Sequence, residues 1–456
     1  MVVYCSRLCK PTAEVNVFNF ITNQEKICLY TDLKYQYLLK TEYKALSSTS
    51  LAHLSNDGVF LLFSSLIVYY SEPSLGLNIT ILGYFATIYV LISGILSIPV
   101  GRWSDSGDRD PELMGFGILL LAISLVVFSV PFLYASSMAI LTKYAIVGLG
   151  ALVLGFGQAF YHPLGADILR YSMKGKDSSF LLGINGSFGS LGRAVILIIV
   201  GIMIVDFGAF KGLFYLSLYY FAVAAIIYLM SRNLRKSEGY RERVEARAKE
   251  KKKLVKMRSL PGVTEFLGIL TLTLFLRSAF QLAISTYSFT YIDHIYKSGF
   301  LAFVFLSVAL VTPILGQPIF GQLTKRKGGN YTLLFAGVLS LLAFVPFLYF
   351  SHNYALSLVF FSIYAFAAFT GFPSVLGFLN QKVPKEVSTR ANTLAWGIGN
   401  TVGGAVGILI FTTLFQTLNI SMEYSFLLML SFLILSIATN LMIEPFSNKL
   451  ASQISN

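Results

Sequence analysis

Charged residues are scarce in this chain of 456 residues: they make up 12% of it, whereas hydrophobic residues make up 55%. Because soluble domains carry roughly 25% charged residues, this composition excludes a globular exterior that faces water everywhere. Lipid is therefore the expected solvent. One bilayer span takes about 20 apolar residues, so the hydrophobic content is enough for about twelve such helices.

Cysteine is also rare, and its three residues, Cys5, Cys9 and Cys28, all lie in the first 45 positions. We predict that residues 1–45 form a cytoplasmic tail, where neither a disulfide nor a metal site is indicated. A signal peptide has a basic start, then an apolar core, then a small-residue cleavage site. The tail lacks this succession, so no cleaved signal peptide is expected. Two interpretations stay open for it: a disordered segment, or the product of an upstream start codon.

Motifs of enzyme chemistry are missing as well. The sequence has no phosphate-binding Gly-x-x-x-x-Gly-Lys-Ser/Thr loop, no metal-spaced histidine pair and no nucleophile elbow. We therefore expect neither an enzyme nor a bound cofactor or metal. Energy for any work across a membrane would come from an ion gradient.

Long apolar runs are abundant in this sequence. They are continuously apolar, whereas the strands of a membrane barrel alternate and are only about ten residues long, so helices are predicted. Twelve runs are long enough to span a bilayer, at residues 51–70, 79–100, 113–134, 139–162, 180–206, 208–230, 264–291, 299–320, 331–350, 354–380, 391–417 and 421–443.

The twelve spans divide into two sets of six around a long basic loop. We predict an all-α membrane protein with twelve transmembrane helices in two six-helix bundles, residues 46–230 and 263–445. A cytoplasmic linker, residues 231–262, joins the bundles, and residues 446–456 form a second cytoplasmic tail.

The net charge of +13 is concentrated on one side of the predicted membrane. Residues 231–260 carry twelve Lys or Arg against four Glu, a net charge of +8, whereas the opposite side shows only Lys211 and Lys297. By the positive-inside rule both termini are cytoplasmic, and we expect the cell membrane, not nucleic acid, as the partner. Residues 231–260 are either a solvated, partly helical linker or a segment that binds anionic lipid.

Internal repetition relates the two halves, because three sequence anchors recur in the same order at offsets of 210 to 220 residues. Parallel six-helix repeats predict two bundles with a solute cavity between them, near the middle of the membrane. The matched positions are Gly101 with Gly321, Pro163 with Pro373, and residues 189–195 with residues 400–406.

The loop after the second span carries a spaced motif. Gly101, Asp105 and Arg109 stand four residues apart, and this pattern resembles the loop motif of the major facilitator superfamily. Ser106 and Asp108 depart from the family pattern at two positions. The resemblance implies a transporter fold of two bundles.

The same resemblance assigns residues to a cytoplasmic gate. In the family the motif glycine packs against the other bundle, the acid braces a facing helix N-terminus, and the arginine pairs with an acid that ends span four. Asp167 stands where that acid is expected. The predicted gate residues are Gly101, Asp105, Arg109, His162, Pro163, Asp167 and Gly321.

A narrower resemblance covers most of the first half. The segments LAHLSNDG at 51–58 and GFGQAFYHPLGA at 155–166, with Gln317 and Pro318 in the second half, are similar to the fosmidomycin-resistance branch of drug exporters. Tyr161 replaces that branch's phenylalanine. The resemblance implies export of small molecules.

Charges inside the bilayer cost about 2.5–3.5 kcal/mol each and are rarely kept without a function. Asp57, Arg193 and Arg277 fall inside spans one, five and seven. Asp57 and Arg277 are equivalent under the 220-residue offset, so we hypothesise that they face each other across the cavity, paired or bridged by a ligand. The alternative is a salt bridge that only holds the bundles together. Arg193 would bind an anionic group or reach helix-end carbonyls.

Further polar residues are candidates for the same site. His53 lies one turn before Asp57 and is either half of a titrating pair or a solvated residue at the start of the helix. His162 is expected at a helix end or gate rather than at a ligand. The remaining candidates for substrate or proton contact are Asn56, Asn185, Gln281, Trp396 and Asn400.

Glycines recur every third residue from Gly183 to Gly192 and predict close helix packing on one side of span five. Family antiporters usually carry a Gly-Pro pair further along this span. Val195, Ile196 and Leu197 occupy that place in this sequence, so the resemblance supports antiport less strongly.

These observations predict a secondary transporter that moves a small organic solute by alternating access, as a proton-coupled efflux protein. The alternatives are an uptake symporter for a small metabolite, a non-transporting membrane sensor and a membrane-embedded enzyme. The expected partners are the solute, protons and the lipid bilayer, and we expect a monomer.

Overall fold

A computed structural model describes residues 41–106, 109–172, 178–236, 240–242, 244–245, 262–383 and 388–446. Residues 1–40 of the tail predicted at 1–45, residues 447–456 of the tail predicted at 446–456, and most of the predicted linker lie outside these ranges. Within them the chain is helix and connecting turns, with no strand. The all-α membrane fold predicted from composition is therefore confirmed.

Ten helices in the described ranges are long and apolar enough to cross a membrane. One of them, Leu181–Arg235, holds two spans because Gly208 adopts a φ of 78°, a conformation that L side chains rarely adopt. The short apolar helix Tyr354–Ala368 continues after two residues as Gly371–Lys382. With these two adjustments the described ranges contain twelve spans, as predicted.

We number the spans α1 to α12 in chain order. The side of the membrane at which α2, α4, α6, α8, α10 and α12 end is called the basic side, because the predicted basic loops follow those ends. The bounds are α1 Thr41–Ser71, α2 Ile79–Ser106, α3 Asp110–Leu133, α4 Ile140–Ser172, α5 178–207, α6 209–235, α7 Val263–Tyr296, α8 Gly299–Lys327, α9 Gly329–Tyr349, α10 354–382, α11 Ala391–Thr417 and α12 Met422–Leu441.

The first helix begins ten residues before the span predicted at 51–70. Its first turns are rich in Ser and Thr, which hydropathy scores as polar, yet Ser48 and Thr49 are buried and their hydroxyls donate to the carbonyl of Ala45. Such bonds to the preceding turn satisfy the hydroxyls inside the helix itself. The polar start of α1 is thus part of the packed bundle.

The repeat predicted from the three anchors falls on corresponding helices. Gly101 lies near the end of α2 and Gly321 near the end of α8, while Pro163 and Pro373 each lie nine residues before the end of α4 and α10. The halves meet where α2 packs against α11, α5 against α8 and α1 against α7. Large apolar side chains such as Leu315 cover the outside, as expected for a surface that faces lipid.

The glycine stripe of α5 serves two neighbours, not the single one predicted. A Cβ at Gly186 would lie 2.7 Å from Oε1 of Gln317 on α8 in the other half, whereas a Cβ at Gly192 would overlap the backbone of Leu54 on α1. A spacing of three falls short of the 3.6-residue turn. The stripe therefore rotates around α5 from α8 to α1.

Replacing Gly192 by alanine is expected to destabilise the protein. The added methyl group must push α1 away from α5, and overpacking of this kind costs about 1–3 kcal/mol. Gly268→Ala in α7 is the matched control, because a Cβ there meets no atom within 4 Å and alanine is the better helix former. Unfolding of both variants in mixed micelles measures the difference. Equal stability of Gly192→Ala and the parent protein would contradict the close α1–α5 contact.

Candidate functional site

A buried carboxylate, that of Asp57, forms the centre of the most polar cluster inside the bundles. Its Oδ2 atom lies 2.6 Å from Nη1 of Arg193 and 3.3 Å from Nε2 of His53, while its Oδ1 atom lies 3.7 Å from Nε2 of His162. The Asn56 side chain donates to Oδ1 at 3.0 Å. Three helices, α1, α4 and α5, thus place donors around one carboxylate in the middle of the membrane.

A second layer of hydrogen bonds orients His53. Its Nδ1 lies 2.9 Å from Oδ1 of Asn185, an oxygen that also accepts from the Tyr161 hydroxyl at 2.7 Å. The Asn185 amide donates to the hydroxyls of Thr49 and Ser50. The amide oxygen can only accept, so His53 carries a proton on Nδ1. A second proton, on Nε2, would then be donated towards Asp57.

This arrangement excludes the interpretation of His53 as a solvated residue at a helix start. His53 is 2% exposed and its ring stacks on Tyr161 at 4.5 Å. That interpretation is wrong because α1 starts at Thr41, about three turns earlier. His162, expected at a gate and not at a ligand, contacts both Asp57 and the cleft described below.

The direct pair between Asp57 and Arg277 is not formed in this structure. Asp57 pairs with Arg193 of its own half, and the Arg277 Nη2 atom donates instead to the carbonyls of Ala367 and Ala368 at 3.3 and 3.1 Å. The reason is the helix face: the Asp57 side chain is directed at α4 and α5, and that of Arg277 at the break in α10. The two residues occupy equivalent positions in the repeat and therefore the same depth in the two bundles. Their side chains are nevertheless not in contact.

Arg193 reaches the second half through aromatic and polar contacts. Its guanidinium lies 5.3 Å from the ring centre of Phe369 on α10 and 6.0 Å from that of Phe60 on α1, distances typical of cation–π contacts. Its Nη2 donates to Ser190 at 2.9 Å, and that hydroxyl also accepts from Gln317 on α8. The Asp57 cluster therefore borders the interface between the bundles.

Gln317 and Phe369 also meet directly. The Gln317 amide donates to the Phe369 carbonyl at 2.7 Å, while its own Oε1 is buried without a hydrogen bond in the described part of the chain. Sequence reasoning used Gln317 only for a family resemblance. Its position two residues after Leu315, in an otherwise apolar span, is the signal that could have found it.

The remaining candidates of the second half lie around α7 and α11. Asn400 accepts a hydrogen bond of 2.7 Å from Ser278, Gln281 is half-buried one turn after Arg277, and the Trp396 ring lies 5.3 Å from that of His162. Trp396 and Asn400 lie on a π-helical stretch, Leu394–Val402. Such stretches are frequent at functional sites, and no sequence pattern indicated this one.

A cleft with a cavity volume of about 40 Å³ lies between the bundles on the basic side. It brings together the predicted gate residues Gly101, His162, Pro163 and Asp167, with Trp396 on the opposite wall. Since His162 lines the cleft and contacts Asp57, it connects the two.

The other gate residues are placed less centrally. Arg109 is exposed just before α3, and Gly321 is buried in α8. Asp105 lies near the end of α2, and its side chain is outside what the structure describes. Gate roles for these three residues stay predictions.

The bundles touch on both sides of the Asp57 cluster. On the basic side Leu169 and Leu182 of the first half pack with Leu376 of the second. On the opposite side the rings of Tyr69 and Phe303 stack at 6.2 Å. Just beyond α1 on that side, burial and a nearby carboxylate on α7 raise the pKa of Glu72.

Comparison with known proteins agrees with this architecture. A mutant of the nucleoside transporter NupG is 14% identical to this chain, with a TM-score of 0.64. The alignment covers 88% of this chain and 99% of that one. A mutant of the peptide transporter POT in complex with alafosfalin is 14% identical to this chain, with a TM-score of 0.63. The alignment covers 90% of this chain and 95% of that one. The xylose transporter XylE from E. coli, in a partially occluded inward open conformation, is 11% identical to this chain, with a TM-score of 0.66. The alignment covers 89% of this chain and 98% of that one.

The identities of these three structures are low, so they show the shared fold alone. A search of curated protein sequences found no match. The model of one family, described as the Major Facilitator Superfamily, matches residues 48–408. This match spans most of the chain and includes most of α1 and the Asp57 cluster, so the protein belongs to the major facilitator superfamily.

Proposed function

We propose that this protein is a secondary transporter that moves a small organic solute by alternating access and couples the movement to protons. The observation that carries the proposal is Asp57, a carboxylate at mid-membrane that contacts two histidines and an arginine. Carboxylates and histidines within membrane spans are the groups that form proton relays in pumps and transporters. The cluster borders the bundle interface, around which such a protein rocks.

A proton on Asp57 would change the contacts between the bundles. It neutralises the carboxylate and removes the Coulomb attraction for Arg193. Arg193 also contacts Phe369 and, through Ser190, Gln317 in the other half. Protonation and the packing of the halves are thereby linked through one side chain.

The direction of transport has two candidates. The resemblance of the first half to the fosmidomycin-resistance branch supports efflux, in which solute and protons move in opposite directions. The Asp57–Arg193 pair favours the uptake symporter, because a proton on Asp57 would release a guanidinium that can bind an anionic solute at the same time. In that case solute and protons move together.

Flux in sealed proteoliposomes tests the proposal. With an imposed pH gradient we expect solute to accumulate against its concentration gradient, and a protonophore to abolish the accumulation. Movement of solute and protons in the same direction identifies symport, and movement in opposite directions identifies exchange. If the reconstituted protein carries no solute and no protons, the transport proposal is wrong and the sensor alternative gains support.

A further inference from the structure

Arg277 is a buried cation whose charge is not balanced by an acid. The residue is 7% exposed at the middle of α7, and within the described ranges no carboxylate lies within 4.0 Å of its guanidinium. Within the described part of the chain its side chain makes two hydrogen bonds, both from Nη2 to main-chain carbonyls. A buried guanidinium has five donors to satisfy, so donors on Nη1 and Nε remain for another acceptor.

The break in α10 places a helix N-terminus beside the same guanidinium. The second half of α10, Gly371–Lys382, starts at Gly371, and a Cβ there would lie only 3.4 Å from Nη1 of Arg277. The preceding residue, Thr370, does not cap this end, because its hydroxyl donates back to the carbonyl of Ala367. The first turn of a helix favours negative charge, so this helix start and the guanidinium both offer donors at a point where the described part of the chain places no carboxylate within 4.0 Å of Arg277.

One polar side chain without a hydrogen-bond partner in the described part of the chain lies near this point. The Tyr364 hydroxyl, one turn before the break, is buried without a hydrogen bond in the described part of the chain and is close enough to Arg277 to interact with its charge. A buried hydroxyl without a partner is destabilising, because its lost hydrogen bonds to water are not replaced. A ligand oxygen in this place would give Tyr364 an acceptor.

The balance of charge at mid-membrane points the same way. Asp57 neutralises Arg193, whereas Arg277, which donates to the two carbonyls just before Phe369 on α10, is left as an excess cation. An excess positive charge in a low-dielectric site repels cations and attracts anions. A neutral solute would leave the charge of Arg277 unbalanced.

We infer that the transported solute is a small organic anion, and that its carboxylate binds to Arg277 at the break in α10. The inference rests on the proposed transport function. The carboxylate replaces the Ala367 and Ala368 carbonyls as the acceptor of the guanidinium, with Tyr364 and the start of Gly371–Lys382 as further donors. Arg–carboxylate pairs are often bidentate, which would fix the orientation of the solute.

Matched pairs of probes test the charge requirement on the wild-type protein in nanodiscs. Acetate, pyruvate and benzoate are compared with acetamide, pyruvamide and benzamide, and with the cations choline and tetraethylammonium, by calorimetry. We expect at least one carboxylate to bind tenfold or more tightly than its amide, because a charge-assisted hydrogen bond contributes that much. Equal binding of carboxylates and amides, tighter binding of the cations, or no binding of any carboxylate would overturn the inference.

Substitution of Arg277 locates the site. Arg277→Gln is expected to weaken carboxylate binding at least tenfold without a change in amide binding, and Arg277→Lys, which keeps the charge, to weaken it less. Arg326→Gln, which removes an exposed arginine near the end of α8, is the control and should bind as the parent protein does. If carboxylates bind equally well to Arg277→Gln and the parent, the assignment to Arg277 is wrong.

The outcomes distinguish this inference from the proposed function. Coupled flux of neutral or cationic solutes alone would leave the transporter standing and remove its anion specificity. Absence of any solute or proton flux, with carboxylate binding at Arg277 retained, would remove the transporter and leave an anion-binding membrane protein. Where Arg277→Gln does not fold, Arg277→Lys and the wild-type probe pairs still decide the matter.

Discussion

Asp57→Asn is expected to abolish proton-driven accumulation of solute. Asparagine has nearly the shape of aspartate and can still accept from Arg193, but it cannot carry a proton. Solute exchange without a pH gradient needs only binding and rocking of the bundles, and is therefore expected to persist. The measurement is accumulation under an imposed pH gradient beside counterflow without one, both in proteoliposomes.

A control separates the loss of a proton carrier from the loss of any acid. Asp206→Asn makes the same chemical change at an exposed position near the kink at Gly208, and accumulation should be unchanged. If Asp57→Asn accumulates solute as the parent protein does, Asp57 is not the proton carrier. Asp57→Glu, which retains a titratable carboxyl group, is expected to recover part of the activity.

Arg193→Ala is expected to destabilise the protein strongly. The substitution leaves the Asp57 carboxylate buried without its closest cation, and breaking a buried pair from one side costs about 3–5 kcal/mol. In the double variant Asp57→Asn/Arg193→Ala no charge is left unpaired. We therefore expect the double variant to be more stable than Arg193→Ala alone. Unfolding free energies of the parent, the two single variants and the double variant form the cycle that isolates the pair.

The two histidines give this prediction a pH dependence. His53 and His162 are the other groups that can place positive charge beside Asp57, and they do so only by binding a proton. The loss of unfolding free energy in Arg193→Ala should therefore be smaller at low pH than at high pH. Additive effects in the cycle would show that the 2.6 Å contact contributes little. A loss that does not change with pH would show that the two histidines do not replace Arg193 as partners of Asp57.

The sequence predicted which residues form the site better than it predicted which of them contact one another. Asp57 and Arg193 were identified from the cost of a charge inside an apolar span, His53 from its spacing to Asp57, and Asn56 and Asn185 as further polar residues. The structure brings these five into one cluster. Their partners could not be predicted, because contact depends on which face of each helix meets which neighbour. A rotation of one residue, about 100° on an α-helix, moves a side chain to another helix.

Residues with no signal of their own entered the site through the tertiary structure. Tyr161 was noticed only as a departure from a family pattern, yet it stacks on His53 and bonds to Asn185. Phe369 and Phe60 are two of many phenylalanines in apolar runs, and only packing places their rings beside Arg193. An aromatic residue in a membrane span is ordinary, so sequence gives no reason to select these.

Twelve helices in two related halves could be predicted without coordinates, because length, apolar content and repetition are properties of the linear chain. The charges that the membrane must accommodate could be read from the chain as well. The pairing of Asp57 with Arg193, and the capping of a broken helix by Arg277 in place of a contact with Asp57, depend on how the helices pack. The physical reason is that burying a charge is costly, but which partner offsets the cost depends on the rotation and breaks of the helices that surround it.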